Sequence, residues 1–140
     1  MPKSAKIPKI KKIHHIAVVV NDIQQALSFW RDSLGLPVGE LRDVPVQNTR
    51  VAFLPTGQGQ IELVSPTTDD SGVARFLDRR GPGLHHVCLE VEDIESTLAQ
   101  LSSKGVRLID ESPRTTETGG KYAFIHPEST GGVLLELYEG

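Results

Sequence analysis

Two short phrases carry the residues best able to do chemistry: "IHHIAVVVNDI" at residues 13–23 and "LHHVCLEVEDI" at residues 84–94. Each sets adjacent histidines at the head of an apolar, β-branched run. They stand 71 positions apart in a chain of 140 residues, the spacing of a duplicated module. A second pair of phrases, "QIELVSP" at 60–66 and "LLELYEG" at 134–140, places one glutamate, Glu62 and Glu136, inside an otherwise apolar strand. A carboxylate in a buried strand is costly unless it is paired or coordinates a metal, so these two are the informative oddities. Strand alternation puts His15 with Ala17 and Val19 on one face and His14 with Ile16 and Val18 on the other. By the repeat, His86 matches His15 and His85 matches His14. Two imidazoles and two carboxylates, with no thiolate, suit a divalent metal shell of zinc, cobalt, manganese, nickel or iron. Taken singly, a strand histidine is more often a hydrogen-bonded core or rim residue, and a strand glutamate usually faces water. Their joint recurrence favours the metal. His14 and His85 read either as partners that orient ligands or as residues of the opposite surface.

The elements that must position these groups also read twice. Residues 13–20 form a strand. Asn21 or Asp22 then caps a helix carrying Ile23, Ala26, Leu27, Trp30 and Leu34, with Gly35 at its end. Strands are expected at Leu41 to Val44, Arg50 to Pro55 and Gln60 to Ser65. After a connector at 67–83 with a short helix and a Gly-Pro break, the pattern restarts with a strand at 84–91. Asp93 caps a helix with Ile94, Leu98 and Leu101 that ends at Gly105, and strands follow at Val106 to Ile109, Lys121 to His126 and Val133 to Tyr138. The expectation is therefore an α+β chain: a flexible basic tail at 1–12, then one domain, 13–140, of two βαβββ modules at about 13–66 and 84–140.

Composition narrows the function classes. Hydrophobic residues are 38% and charged residues 24%, a globular balance. No apolar run approaches the roughly 20 residues that span a bilayer. A net charge of −3 argues against a chain built to coat nucleic acid. The tail holds Lys3, Lys6, Lys9, Lys11 and Lys12 but no signal-peptide core, and the lone Cys88 implies no disulfide, so the expected location is cytoplasmic. No phosphate-cradling glycine loop of the P-loop type is present, and ATP-dependent chemistry has no support.

The paired modules with one His and one Glu from each half resemble the vicinal oxygen chelate superfamily. More narrowly, "IHHIAVVVNDIQQALSFWRDSLGL", "GPGLHHVCLEVEDIESTLAQLSSKGVRLIDESPR" and "GGKYAFIHPESTGGVLLELYE" are similar to methylmalonyl-CoA epimerases. The resemblance implies a cup-shaped mixed sheet around a divalent metal held by His15, Glu62, His86 and Glu136, where some relatives have glutamine at the position of Glu62. It implies 1,1-proton transfer between the (R) and (S) forms of methylmalonyl-CoA or ethylmalonyl-CoA through a metal-stabilised enolate, with Glu136 as one acid/base. It further implies an acyl-CoA partner, met by Lys121 and Ser129, with Gln47 and Arg50 as further substrate-binding candidates, and a homodimer. The chain departs from the family at "VPVQNTRVAF", where Val46 replaces a glutamate. Valine cannot move a proton, which turns attention to Glu40, Asp43 or an ordered water. The alternatives are a glyoxalase I-like lyase using one metal-bound base and a non-catalytic binding protein of the same superfamily. A ring-cleaving dioxygenase fits less well, since a fourth protein ligand would crowd out oxygen.

Overall fold

The computed structural model describes residues 7–140. The first half of the basic tail, residues 1–6 with Lys3 and Lys6, lies outside the described residues. The chain divides into two compact units, one formed by His15–His85 and the other by His86–Gly140 with the amino-terminal residues up to His14. The expected connector thus belongs to the first unit, and the start of the first strand belongs to the second.

In the first unit the strands are β1 (Ile10–Val19, through its second half), β2 (Glu40–Val44), β3 (Thr49–Pro55) and β4 (Gln60–Pro66), with α1 (Ile23–Leu27) and α2 (Gly72–Arg80). They lie in the order β2-β3-β4-β1, with β4 parallel to β1 and the other pairs antiparallel. Ile23 and Leu27 of α1 pack on Ala52, Leu54 and Leu63, one face of this sheet. Ala17, Val19, Val51 and Val64 form the other face, against Val73, Phe76 and Leu77 of α2. Asp22 caps α1 by accepting the Gln25 amide at 3.0 Å, as expected. The expected long helix does not continue as an α-helix. Residues Ser28–Ser33 form a π-helical turn, in which the Ser33 hydroxyl bonds the Ser28 carbonyl at 3.1 Å and competes with regular i−4 pairing.

The second unit repeats the plan with β5 (Gly83–Val91, from His86 onward), α3 (Ile94–Ser103), β6 (Arg114–Thr115), β7 (Lys121–Ile125) and β8 (Leu135–Glu139), in the order β5-β8-β7-β6. β8 is parallel to β5, while β7 pairs antiparallel with both β8 and β6. Asp93 caps α3 at 3.0 Å to Ser96, and Ile94 and Leu98 bury against Ala123, Ile125 and Leu137. The α+β reading with two βαβββ modules holds.

Two details differ. The strand expected at Val106 to Ile109 reduces to a single bridge, Leu108 to Ile125, and β6 forms instead inside the stretch expected as loop. Asp110 explains this: its carboxylate takes the Phe124 amide at 2.9 Å, replacing a backbone acceptor, and Pro113 has no amide to donate. At the amino terminus, residues 10–12 are strand, not tail. The Lys9 carbonyl accepts the Glu92 amide at 3.2 Å, and Lys11 lies 3.5 Å from Glu90.

Candidate functional site

The two units carry the same constellation. In the first, parallel pairing sets Ala17 opposite Glu62, so His15, two residues earlier on the same face, meets Glu62 diagonally. Nε2 of His15 lies 3.2 Å from the Glu62 carboxylate, with side chains 9% and 14% exposed. In the second, Cys88 faces Glu136 and His86 stands two residues earlier. Nε2 of His86 lies 2.9 Å from the Glu136 carboxylate, with side chains 10% and 12% exposed. Each unit thus holds one imidazole and one carboxylate in a nearly water-free setting.

Each pair has a third member that the sequence reading passed over. Phe53 lies directly across from Glu62 and packs edge-on against His15, centroids 6.3 Å apart at 75°. Phe124 lies across from Glu136 and meets His86 at 5.3 Å and 84°. The two phenylalanines are 71 positions apart, the same offset as the histidines. That offset was the available signal, hidden because a strand phenylalanine reads as ordinary core. The edge-on rings fix the imidazole planes and shield the donors from water.

A metal ion is what this donor chemistry suits. Two ligand atoms bound at about 2.1 Å and at right angles lie about 3 Å apart, so 3.2 Å and 2.9 Å are the spacings of neighbouring ligands in one coordination shell. The largely covered carboxylates also supply the charge that a divalent cation offsets. The residues present therefore fit a divalent ion.

The other sequence candidates fall elsewhere. Arg50 pairs in register with Asp43 and Ser65, alternating with Val51 and Phe53, so it lies on the α1 side of its sheet, opposite His15. Its Nε bonds Asp43 at 2.7 Å, and the guanidinium holds that carboxyl below its usual range. Lys121 likewise alternates with Tyr122 onto the α3 side, 3.2 Å from Glu95, whose hydrogen bond and then charge raise the lysine's pKa. Neither basic group shares a face with the His–Glu pair of its unit. Period-two parity, once anchored on the glutamates, is the physical reason.

Gln47 and Val46 sit on the short helical turn Pro45–Gln47, with Val46 80% exposed, and Asn48 closes the turn in the left-handed region at φ 55°. Ser129 lies in the turn Pro127–Ser129, where its hydroxyl accepts the Arg107 amide at 2.8 Å. Glu40 and Asp43 separate cleanly. Glu40 is opposite Phe53, on one rung and one face with Glu62, whereas Asp43 is on the far face with Arg50. His14 packs tilted against Tyr138 at 4.5 Å and His85 meets Phe76 edge-on at 4.9 Å, each ring against an aromatic neighbour within its own unit.

Comparison with known proteins identifies the family. Residues 14–124 match the family model described as glyoxalase/bleomycin resistance protein/dioxygenase superfamily. The "Ethylmalonyl-CoA/methylmalonyl-CoA epimerase" of Cereibacter sphaeroides is 34% identical, covering 91% of this chain and 97% of its own. The mitochondrial methylmalonyl-CoA epimerase of Mus musculus is 35% identical over 96% of this chain and 76% of its own. The solved structure of Streptomyces coelicolor methylmalonyl-CoA epimerase in complex with 2-nitronate-propionyl-CoA superposes with a TM-score of 0.85 at 30% identity, covering 94% of this chain and 96% of that one. By its sequence, its fold and its twice-written histidine and glutamate, this chain belongs to the glyoxalase/bleomycin resistance protein/dioxygenase superfamily and, within it, to the family of the methylmalonyl-CoA epimerases.

Proposed function

We propose that this protein is an isomerase that interconverts the C2 epimers of methylmalonyl-CoA or ethylmalonyl-CoA by 1,1-proton transfer, using one divalent ion held by His15, Glu62, His86 and Glu136. The observation that carries the reading is the largely covered His–Glu pair recurring at matched strand register in both units, in a chain whose relatives are named for this reaction. When bound, the ion supplies Lewis-acid stabilisation of negative charge developing on the substrate's thioester and carboxylate oxygens. Glu136 removes or returns the C2 proton for one epimer. Inversion needs a second group, and Val46 cannot serve. Glu40 is the acid placed on the face of His15 and Glu62, where it forms an ion pair with Arg42 at 2.8 Å. Asp43 is turned away and held by Arg50. A homodimer in the cytoplasm accompanies this reading.

The test is deuterium incorporation at C2 of methylmalonyl-CoA in heavy water, with metal-stripped protein and after restoring cobalt, manganese, zinc or nickel. Metal-dependent exchange with inversion is the expected result; no exchange with any metal, for methylmalonyl-CoA and ethylmalonyl-CoA alike, refutes it. One observation favours a second reading. With Val46 at the family's glutamate position, a single base suffices for a glyoxalase I-like reaction, which turnover of a glutathione hemithioacetal without C2 exchange would establish.

A further inference from the structure

The outer strand of the second unit carries a charged group that the chemistry above leaves unused. β6 pairs Arg114 with Tyr122 of β7. Tyr122 faces Tyr138, and Phe124 faces Glu136, so Arg114 lies on the face that holds His86 and Glu136. Aromatic rings line the way along that face: Tyr122 meets Phe124 edge-on at 6.3 Å, and Phe124 meets His86 at 5.3 Å. Counting strand spacings and residue rises puts the Cα atoms of Arg114 and Glu136 about 12 Å apart.

The guanidinium is held in place. Asp110, 8% exposed, accepts Nε of Arg114 at 3.0 Å through one oxygen and the Phe124 amide at 2.9 Å through the other. A buried carboxylate tied to the backbone is expensive to desolvate, and here it fixes the direction of an arginine whose own side chain is 64% exposed. Asp110 takes Nε, while the planar fork of an arginine recognises carboxylates and phosphates through its amino groups. The first unit has a counterpart in Arg42, which lies across from Val51 and over Phe53 at 6.0 Å, but its partner Glu40 is exposed where Asp110 is buried.

We infer that Arg114, aimed by Asp110, binds an anionic oxygen group of the substrate, a carboxylate or a phosphate, and so selects for charged acyl thioesters. This rests on the acyl-CoA reading above. The test is equilibrium binding, by calorimetry at a fixed saturating metal concentration, of three ligands: methylmalonyl-CoA, propionyl-CoA, which lacks the malonyl carboxylate, and methylmalonyl-pantetheine, which lacks the phosphates. Arg114→Gln is expected to weaken methylmalonyl-CoA binding about 10- to 100-fold, the range of one lost hydrogen bond to a charged group. Arg114→Lys is expected to recover part of the loss. Asp110→Asn, a change in a positioning residue, is expected to lose affinity for the same ligands as Arg114→Gln and by less.

A loss kept with propionyl-CoA and absent with the pantetheine thioester assigns the phosphate; the reverse pattern assigns the carboxylate, and either supports the inference. Unchanged binding of all three ligands by Arg114→Gln overturns it. So does an equal loss for all three, which marks a structural effect. Failure of the unaltered protein to bind any of them overturns the acyl-CoA reading itself, and the inference with it.

Discussion

Glutamine in place of Glu62 or Glu136 removes a charge and keeps the volume, and the internal repeat makes each substitution the control for the other. The two carboxylates stand 3.2 Å and 2.9 Å from their imidazoles at 14% and 12% exposure, each across from a phenylalanine. Each variant therefore loses one charge-assisted contact of about 1.5–3 kcal/mol. For a chain of this size that lowers Tm by roughly 5–10 °C in both. Metal affinity falls in both for the same reason, and saturating metal compensates. Only Glu136 is assigned a proton, and a positioned acid/base contributes about 10²- to 10⁴-fold. At saturating metal, C2 deuterium exchange of the epimer served by Glu136 should therefore fall 10²- to 10⁴-fold lower in Glu136→Gln than in Glu62→Gln, while the two melt within about 2 °C of one another. Equal losses of exchange in the two variants would refute the assignment of the base to Glu136.

Glu40→Gln should abolish inversion yet leave exchange of the epimer served by Glu136 within about 10-fold of normal; racemisation at the unaltered rate removes Glu40 from the mechanism. Gly120→Ala should destabilise by about 1–3 kcal/mol in chemical denaturation, because its Cβ would stand 2.6 Å from the Tyr138 hydroxyl and displace the ring that packs against His14. An unchanged midpoint would show that Tyr138 moves aside freely. The Asp43–Arg50 pair lowers the carboxyl pKa from its ordinary 3.8, so its contribution is present above that value and lost as pH falls through the lowered one. Arg50→Gln should accordingly be less stable than the unaltered protein at neutral pH by a small, salt-sensitive margin that closes in strong acid. A margin that widens in acid contradicts the pairing.

The two His–Glu pairs were legible because a duplicated module writes each oddity twice. His15, His86, Glu62 and Glu136 are individually ambiguous, and only their common spacing separates chemistry from packing. Capped helices were legible too, since Asp22 and Asp93 act through local bonds to Gln25 and Ser96. What stayed hidden depends on register. The faces taken by Arg50, Lys121, Glu40 and Arg114 follow from which residue each strand sets opposite the glutamates, and a shift of one position reverses all of them. β6 was hidden because its place depends on the Asp110 side chain occupying a backbone amide, a contact with no periodic trace. The π-helical turn at Ser28–Ser33 keeps its apolar residues at near-helical spacing, so periodicity alone reads it as α-helix.

The parallel pairing of β1 with β4 and of β5 with β8 also bears on how the protein matures. No tight turn can join parallel neighbours, so the donors of each pair come from the first and last strands of a module, about fifty residues apart, and must close a long loop before they meet. Contacts so distant along the chain carry a loop-closure cost that slows folding. A nascent or clipped module without its last strand presents the histidine but not the carboxylate. On the proposed metal reading, cation uptake would therefore discriminate finished protein from unfinished, a gauge of completion written into strand order.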